Sequence, residues 1–376
     1  MRQNDDWYGT LTIAHRTAGA WEDEDARQWL LAALTALEKV LDGAPDPRGF
    51  NAIPGLYGFR HRVARLSADE RQWAERLGER LWSATGTGRT HTEEALLGQV
   101  GVQASPDSLP FFRAALEANR ERDPFQRQRR RIAVASVAFI ARQTGDAAAH
   151  AQLDAWLVHP DVTVRTEATV LYGSIHLRED GRLDEAALAP LKRVADEDRA
   201  FAPRFLARGW LHTAGIPVPV EPPDGVYAFK ASLGRTSRTV ELTAAQSLDQ
   251  LASAILNAFG WDHDHLYEFA LTGDLQDHRF IYPDRDYDQA PFEFDWTADE
   301  ASEEEQPPDS PEPLHLPLGA FGLTRGHEFI FRYDFGDDHR FRVTVADVQE
   351  NRSPRAKYPR VVAKTGKAPK QYPSDA

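Results

Sequence analysis

The sequence predicts a multidomain chain: an all-α solenoid of paired helices followed by an α+β domain with antiparallel strands. Three observations carry that expectation. Apolar residues recur at helical spacing from about residue 25 to residue 215. Four prolines then crowd residues 215–225, and beyond them the apolar period becomes two. The expected division is a helical domain over 1–214, a proline-rich linker over 215–225 and an α+β domain over 226–376. Proline cannot continue a helix, and a run of it behaves as a stiff spacer.

The first helix is expected in "DEDARQWLLAALTALEKVLDG", where Trp29, Leu30, Leu34, Leu37 and Leu41 form one stripe and Gly43 closes it. Ser67 caps a second, with Trp73, Leu77 and Leu81 on one face. Three pairs follow: 110–122 with 125–146, 147–160 with 161–177, and 183–196 with 200–216. The second members carry Ala135, Ala168 and Ala207 at comparable places, 33 and 39 positions apart. That spacing suits two-helix repeats that stack on their neighbours. Asp161, Val164 and Arg165, just after Pro160, resemble the HEAT-repeat signature.

Past the prolines, 226–233 and 238–242 read as strands around the turn "GRTS". Ser247 and Gln250 form a capping box for a helix over 247–260, with Leu248, Leu251, Ile255 and Phe259 on its apolar face. Residues 265–271 and 278–282 are further short strands. The stretch 284–313 is acidic and proline-rich, with Arg285 its only base, and is expected to be an exposed loop. Phe329, Phe331, Tyr333 and Phe335 alternate, as do Phe341, Val343 and Val345. Pairing Tyr333 with Phe341 and Phe331 with Val343 keeps both sets on one face and sets Asp334 opposite Arg340. Gly336, Asp337 and Asp338 then form a three-residue loop. The residues after Pro359 read as turns and a polar tail.

Composition narrows the chemistry. With 58 acidic against 44 basic residues the formal charge is −14, which argues against broad wrapping of a nucleic acid. No cysteine is present, so any metal has only His and carboxylate ligands, and neither disulfides nor thiol nucleophiles are available. No signal-type apolar core or membrane-length run is seen, and a cytoplasmic, bacterial protein is expected.

Four motifs, "VYAFKASL", "AILNAFGWDHDHLYEFAL", "FIFRYDFGDDHRFRVTV" and "YPRVVAKTGKAPKQYP", occur in this order over the last 150 or so residues. This part resembles the plasmid pRiA4b ORF-3-like family, also labelled IS1096 passenger TnpR-like. The resemblance implies an α+β domain of antiparallel strands packed on a helix, and little about activity. It departs from the family where His339 stands in place of the usual tryptophan, and where the C-terminal end is basic and lacks cysteine. The label suggests a resolvase, but no nucleophilic serine among arginines is found here.

Candidate sites follow from the same motifs. Trp261, His265, Tyr267, Glu268, Tyr333 and Asp334 are the binding candidates of the C-terminal domain. Asp337, Asp338 and His339 are the catalytic candidates of a competing enzyme reading. His263, His265, Asp337 and Asp338 are the metal-ligand candidates, set against a plain helix-to-strand loop and a plain hairpin tip. Asp284, Asp286 and Asp288 imitate a calcium loop but lack its glycine and terminal glutamate. Arg127, Arg129, Arg130 and Arg131 are the one strong basic cluster; Glu117, Glu121 and Asp123 are their expected partners, set against a binding role toward phosphate or an acidic partner and, as a third possibility, docking on the chain's own acidic loop over 284–313. Phe292, Phe294 and Trp296, set among acids, resemble a segment that docks on a partner.

The function expected is a non-enzymatic interaction or scaffold protein with a protein partner and no cofactor, in a mobile-element or genome-maintenance setting suggested by the family label. The alternatives are a metal-dependent hydrolase or nuclease holding a divalent cation, and a nucleic-acid contact through Arg127 to Arg131.

Overall fold

The computed structural model describes residues 24–44, 65–83, 90–118, 126–283 and 316–372. The acidic stretch 284–313, with Asp284, Asp286, Asp288, Phe292, Phe294 and Trp296, lies outside the described residues, as do Glu121 and Asp123. Contacts divide the chain into two compact units, 1–175 and 176–376. No described helix is long and apolar enough to cross a membrane.

The first unit is helical: α1 (Glu24–Leu41), α2 (Ala68–Ser83), α3 (Thr90–Gly101), α4 (Leu109–Glu117), α5 (Gln126–Thr144), α6 (Ala147–Trp156) and α7 (Val162–His176), which ends at the division. Ser67 caps α2 with a full capping box: its hydroxyl accepts from the Glu70 amide, and Glu70 accepts from the Ser67 amide. Asp146 caps α6 by accepting from the Ala149 amide. Helix α5 is the centre of this unit, packed by α3, α4 and α6 and buried along Ile132 to Ala138. Its approach to α3 is close enough that a Cβ on Gly101 would lie 2.4 Å from Ser136 Oγ. Ala135 and Ala168, placed at the expected interfaces, are buried.

The second unit holds α8 (Glu185–Glu197) and α9 (Phe201–Thr213), then β1 (Val226–Leu233), β2 (Thr236–Thr243), α10 (Leu248–Phe259), β3 (Tyr267–Ala270), β4 (Ile281–Pro283), β5 (Glu328–Tyr333), β6 (His339–Gln349) and β7 (Arg360–Thr365). The strands form one antiparallel sheet in the order β4-β3-β5-β6-β1-β2-β7. The chain is thus an α region followed by an α+β region. The third helix pair, however, joins the sheet rather than the helices before it. Phe205 of α9 meets Phe280 and Phe321 at ring distances of 5.7 and 5.9 Å. Arg208, one turn on, donates to the Ala320 carbonyl. The proline-rich stretch expected to separate the domains lies inside this unit, because the Glu221 amide donates to Gly319 and the Tyr227 hydroxyl to the Glu221 carbonyl.

Helix α10 has the capping box expected, and Gly260 ends it at φ 72°. Three expectations need correcting. Leu233 pairs with Thr236, so the first hairpin turns on Gly234-Arg235 rather than on four residues. Phe331 pairs with Phe341 and Tyr333 with His339, a shift of two from the expected register. An even shift leaves every side chain on its face, so the aromatic core survives and only the loop lengthens, to residues 334–338. Finally, the residues after Pro359 include a strand, β7, at the sheet edge beside β2.

Candidate functional site

The polar cluster at one end of the sheet grows from the loop between β5 and β6. Asp334 leaves β5 at φ 55° and Asp338 enters β6 at φ 52°, the left-handed region that aspartate tolerates better than most residues. The Asp338 amide donates to the Asp334 carbonyl at 2.6 Å. The Asp334 carboxylate accepts from the amides of Gly336 and Asp337 at 3.0 and 3.3 Å. A five-residue loop is therefore closed by its own first side chain.

Around that loop the candidates separate into two groups. Asp338 faces two arginines, Arg332 and Arg340, each at 2.6 Å. The bond from Arg340 holds its carboxyl below the usual range, with Arg332 adding to the effect. It is an ion-pair anchor and stands apart from the metal-ligand candidates it was expected to join. Asp334, Asp337 and His339 instead place one ligand atom each within 4.8 Å of one another. His339 Nε2 is enclosed and has no hydrogen-bond partner, and lies 3.8 Å from Asp337. Its half-buried ring sits against Trp261 at 4.7 Å. His265 Nε2 lies 3.5 Å from Asp334, while His263 is exposed and outside the cluster.

The C-terminal tail completes this end of the sheet. The buried Trp261 indole donates to the Pro369 carbonyl, and the Asp262 amide donates to Gln371 Oε1. Tyr333 donates to the Asp262 carbonyl at 2.7 Å and accepts from the Asp264 amide at 3.2 Å. Burial, then the Asp264 carboxylate, push the Tyr333 hydroxyl pKa up. Tyr372 donates to Asp264 at 2.5 Å, which lowers the pKa of Asp264 and raises its own. His265 also reaches the Tyr372 hydroxyl, at 3.1 Å. Tyr267 donates to Asp249, and Glu268 pairs with Arg332. Of the binding candidates, Trp261, Tyr333 and Asp334 are therefore structural members of this end, with only His265 exposed among them. Gln371 and Tyr372 are members that sequence patterns did not single out.

At the edge of the sheet, every residue of β7 is exposed. Its partner is β2, and no described residue is hydrogen-bonded along its other edge. From Asn351 to Gln371 the chain carries seven basic residues and no acid. Arg360 pairs with Glu241, and Arg352, Arg355, Lys357, Lys364, Lys367 and Lys370 have no ion pair among the described residues.

The arginine cluster of the first unit is built into its fold. Arg129, fully buried, donates to the carbonyls of Ala115 and Ala118 and lies 3.6 Å from Glu93. Arg130 donates to the Leu116 carbonyl and pairs with Asp161; Arg131 lies 2.9 Å from Glu167. Those carbonyls are the unpaired last turn of α4, where cations are favoured. The expected partner Glu117 reaches His159 instead, and Arg127 is the exposed member.

An antiparallel sheet carrying one capped helix, with its polar end stitched by a returning tail, defines a small α+β domain. Residues 229–372 match the family described as plasmid pRiA4b ORF-3-like protein, which is the family the C-terminal motifs resemble. No curated protein matches the chain. A crystal structure of a protein of unknown function from Methanosarcina mazei Go1 is similar at 20% identity, covering 37% of this chain and 68% of that one with a TM-score of 0.25.

Proposed function

We propose that this chain is a non-enzymatic interaction protein whose C-terminal sheet takes up an extended acidic segment along the open edge of β7. The observation that carries this reading is the edge itself: six consecutive exposed residues with an unpaired outer side among the described residues. An open strand edge offers main-chain donors and acceptors to a further strand. Val361 and Val362, 40% and 44% exposed, sit where a bulge sets Val362 as the extra residue against β2, and give a partner an exposed apolar pair on this strand. The unpaired lysines repel a second copy of the same edge and attract an acidic strand, so one device both prevents self-pairing and selects the partner.

The test is fluorescence anisotropy with a labelled peptide alternating valine and glutamate, beside one alternating valine and lysine. Saturable binding of the acidic peptide alone, weakened about tenfold by Lys364→Glu with Lys367→Glu, supports the reading; tenfold is about 1.4 kcal/mol. Equal binding of both peptides, or no change in the variant, refutes it.

A second reading, a divalent cation held by Asp334, Asp337 and His339 and serving hydrolysis, is favoured by the enclosed, unpartnered His339 nitrogen beside two carboxylates. It predicts stoichiometric Mn²⁺ or Zn²⁺ uptake that Asp337→Ala abolishes. Asp337 is the exposed member, so its loss spares the loop. Absence of uptake by the wild-type chain rejects this reading.

A further inference from the structure

In the second unit, a cavity of about 440 Å³ opens beside the first turn of α9. Arg204 and Arg208 lie four residues apart on that helix and so share a face. Arg208 is fully committed: it donates to the carbonyls of Ala195 and Ala320 and pairs with Glu221 at 2.7 Å. Arg204 is its opposite. Its Nε is enclosed without a hydrogen-bond partner, and the guanidinium makes no hydrogen bond or ion pair among the described residues. Burial, aided by the like charge of Arg208, pulls its pKa below the ordinary arginine value.

The enclosed Nε–H, which neither water nor a protein acceptor satisfies, is unfavourable, while the rest of the half-buried guanidinium is left available to a ligand. The wall around it is shaped to leave room. Gly322 stands at φ 77°, and a Cβ there would lie 3.3 Å from Arg208 Nε and 3.4 Å from Arg204 Nε. Tyr227, Leu323, Val348 and two prolines supply apolar surface, while Thr324 and Arg325 stand exposed at the rim. The Tyr227 hydroxyl is already bonded to the Glu221 carbonyl and its pKa is pushed up to about 12, mainly by burial. Two carboxylates also line the cavity. Arg208, just behind the lining, neutralises Glu221, so Arg204 and Arg325 face the single remaining carboxylate of the exposed Glu350, a net of one positive charge.

We infer that this cavity is a binding site for a small organic carboxylate with an apolar body, its carboxylate on Arg204 and Arg325 and its body against Leu323, Val348 and Tyr227. A planar guanidinium fork matches a carboxylate in two parallel bonds, and a mostly apolar concavity with a few convergent polar groups is the usual form of such sites. The site is separate from the β7 edge and does not depend on it.

The experiment is calorimetric titration of the full chain with benzoate, with acetate and inorganic phosphate at matched ionic strength. The expected result is saturable benzoate binding, weaker acetate and phosphate binding, and at least about a tenfold loss in Arg204→Met, as for one charge-assisted hydrogen bond. Arg325→Ala, at an exposed position that leaves the fold intact, is expected to lower affinity about threefold, the scale of an exposed charge. No saturable benzoate binding by the wild-type chain overturns the inference. So does benzoate affinity unchanged in both variants, and phosphate binding as tight as benzoate rejects the apolar-body class. If Arg204→Met does not fold, Arg325→Ala and Arg204→Lys decide, and unchanged affinity in both is equally fatal.

Discussion

Replacing Asp334 tests how the β5–β6 loop is held. Its carboxylate accepts two amide hydrogen bonds and its backbone sits at φ 55°. Alanine loses both acceptors; because the freed Gly336 and Asp337 amides lie at a loop that water reaches, each bond counts for about 1 kcal/mol rather than the larger figure for a sealed site. Left-handed backbone adds about 1 kcal/mol for alanine, which lacks the local hydrogen bonding that lets aspartate and asparagine visit that region. Asp334→Ala is therefore expected to destabilise the second unit by about 3 kcal/mol. Asp334→Asn keeps an acceptor and the backbone tolerance, and is expected to cost about 1 kcal/mol or less. Asp334→Gly loses the acceptors but not the φ tolerance, and falls between them. Urea denaturation of the full chain, followed by far-UV circular dichroism and by the Trp261 indole N–H resonance, measures all three on the relevant unit. Alanine no worse than asparagine would refute the argument that this carboxylate closes the loop.

Two further outcomes follow from groups elsewhere. Arg129→Met removes a fully buried cation that holds the α4 carbonyls and Glu93; it is expected to cost about 3–5 kcal/mol in thermal or urea melts of the helical unit. A variant that melts like wild type yet loses duplex DNA affinity would instead make the cluster a nucleic-acid contact. His327 donates to the Leu271 carbonyl and packs on Phe201, and burial lowers its pKa below the ordinary 6.5. Near and below 6.5 the unfolded chain then binds the proton that the folded chain refuses, so stability falls as pH drops from about 7.5 towards 5. His327→Gln keeps a donor to Leu271 and is expected to flatten that part of the profile; an unchanged slope contradicts the assignment.

What could be read from the residues alone follows physical lines. Ser247, Gln250 and Gly260 marked α10 to within a residue, because caps are local chemistry written in side-chain type. The alternation from Phe329 to Val345 revealed the buried face but not the register, since a period of two cannot distinguish shifts of two; the left-handed Asp334 and Asp338 decided it. Strand β7 escaped notice because an exposed edge buries neither face, so Val361 and Val362 stand side by side without alternation. Arg129 was expected to meet the acids of the preceding helix, but its hydrogen bonds go to carbonyls of α4, and a carbonyl has no letter in a sequence. The division at 175 was hidden for a related reason: Phe201 and Phe205 look like any helical stripe until the distant Phe280 and Phe321 meet them. At the polar end, Asp337 and His339 were identified as candidates, while Asp334 replaced Asp338 as their neighbour and the tail residues Gln371 and Tyr372 arrived from far along the chain.

The measurement that bears most directly on the central claim is amide hydrogen exchange along β7, with and without the acidic valine-glutamate peptide at saturating concentration. Strand addition predicts that alternate amides within Arg360–Thr365, those on the outer edge, exchange fast in the free chain and become protected in the complex. Protection confined to other segments, or binding that leaves the β7 amides unchanged, would mean that the basic stretch attracts the peptide by charge alone and that β7 is not a docking edge.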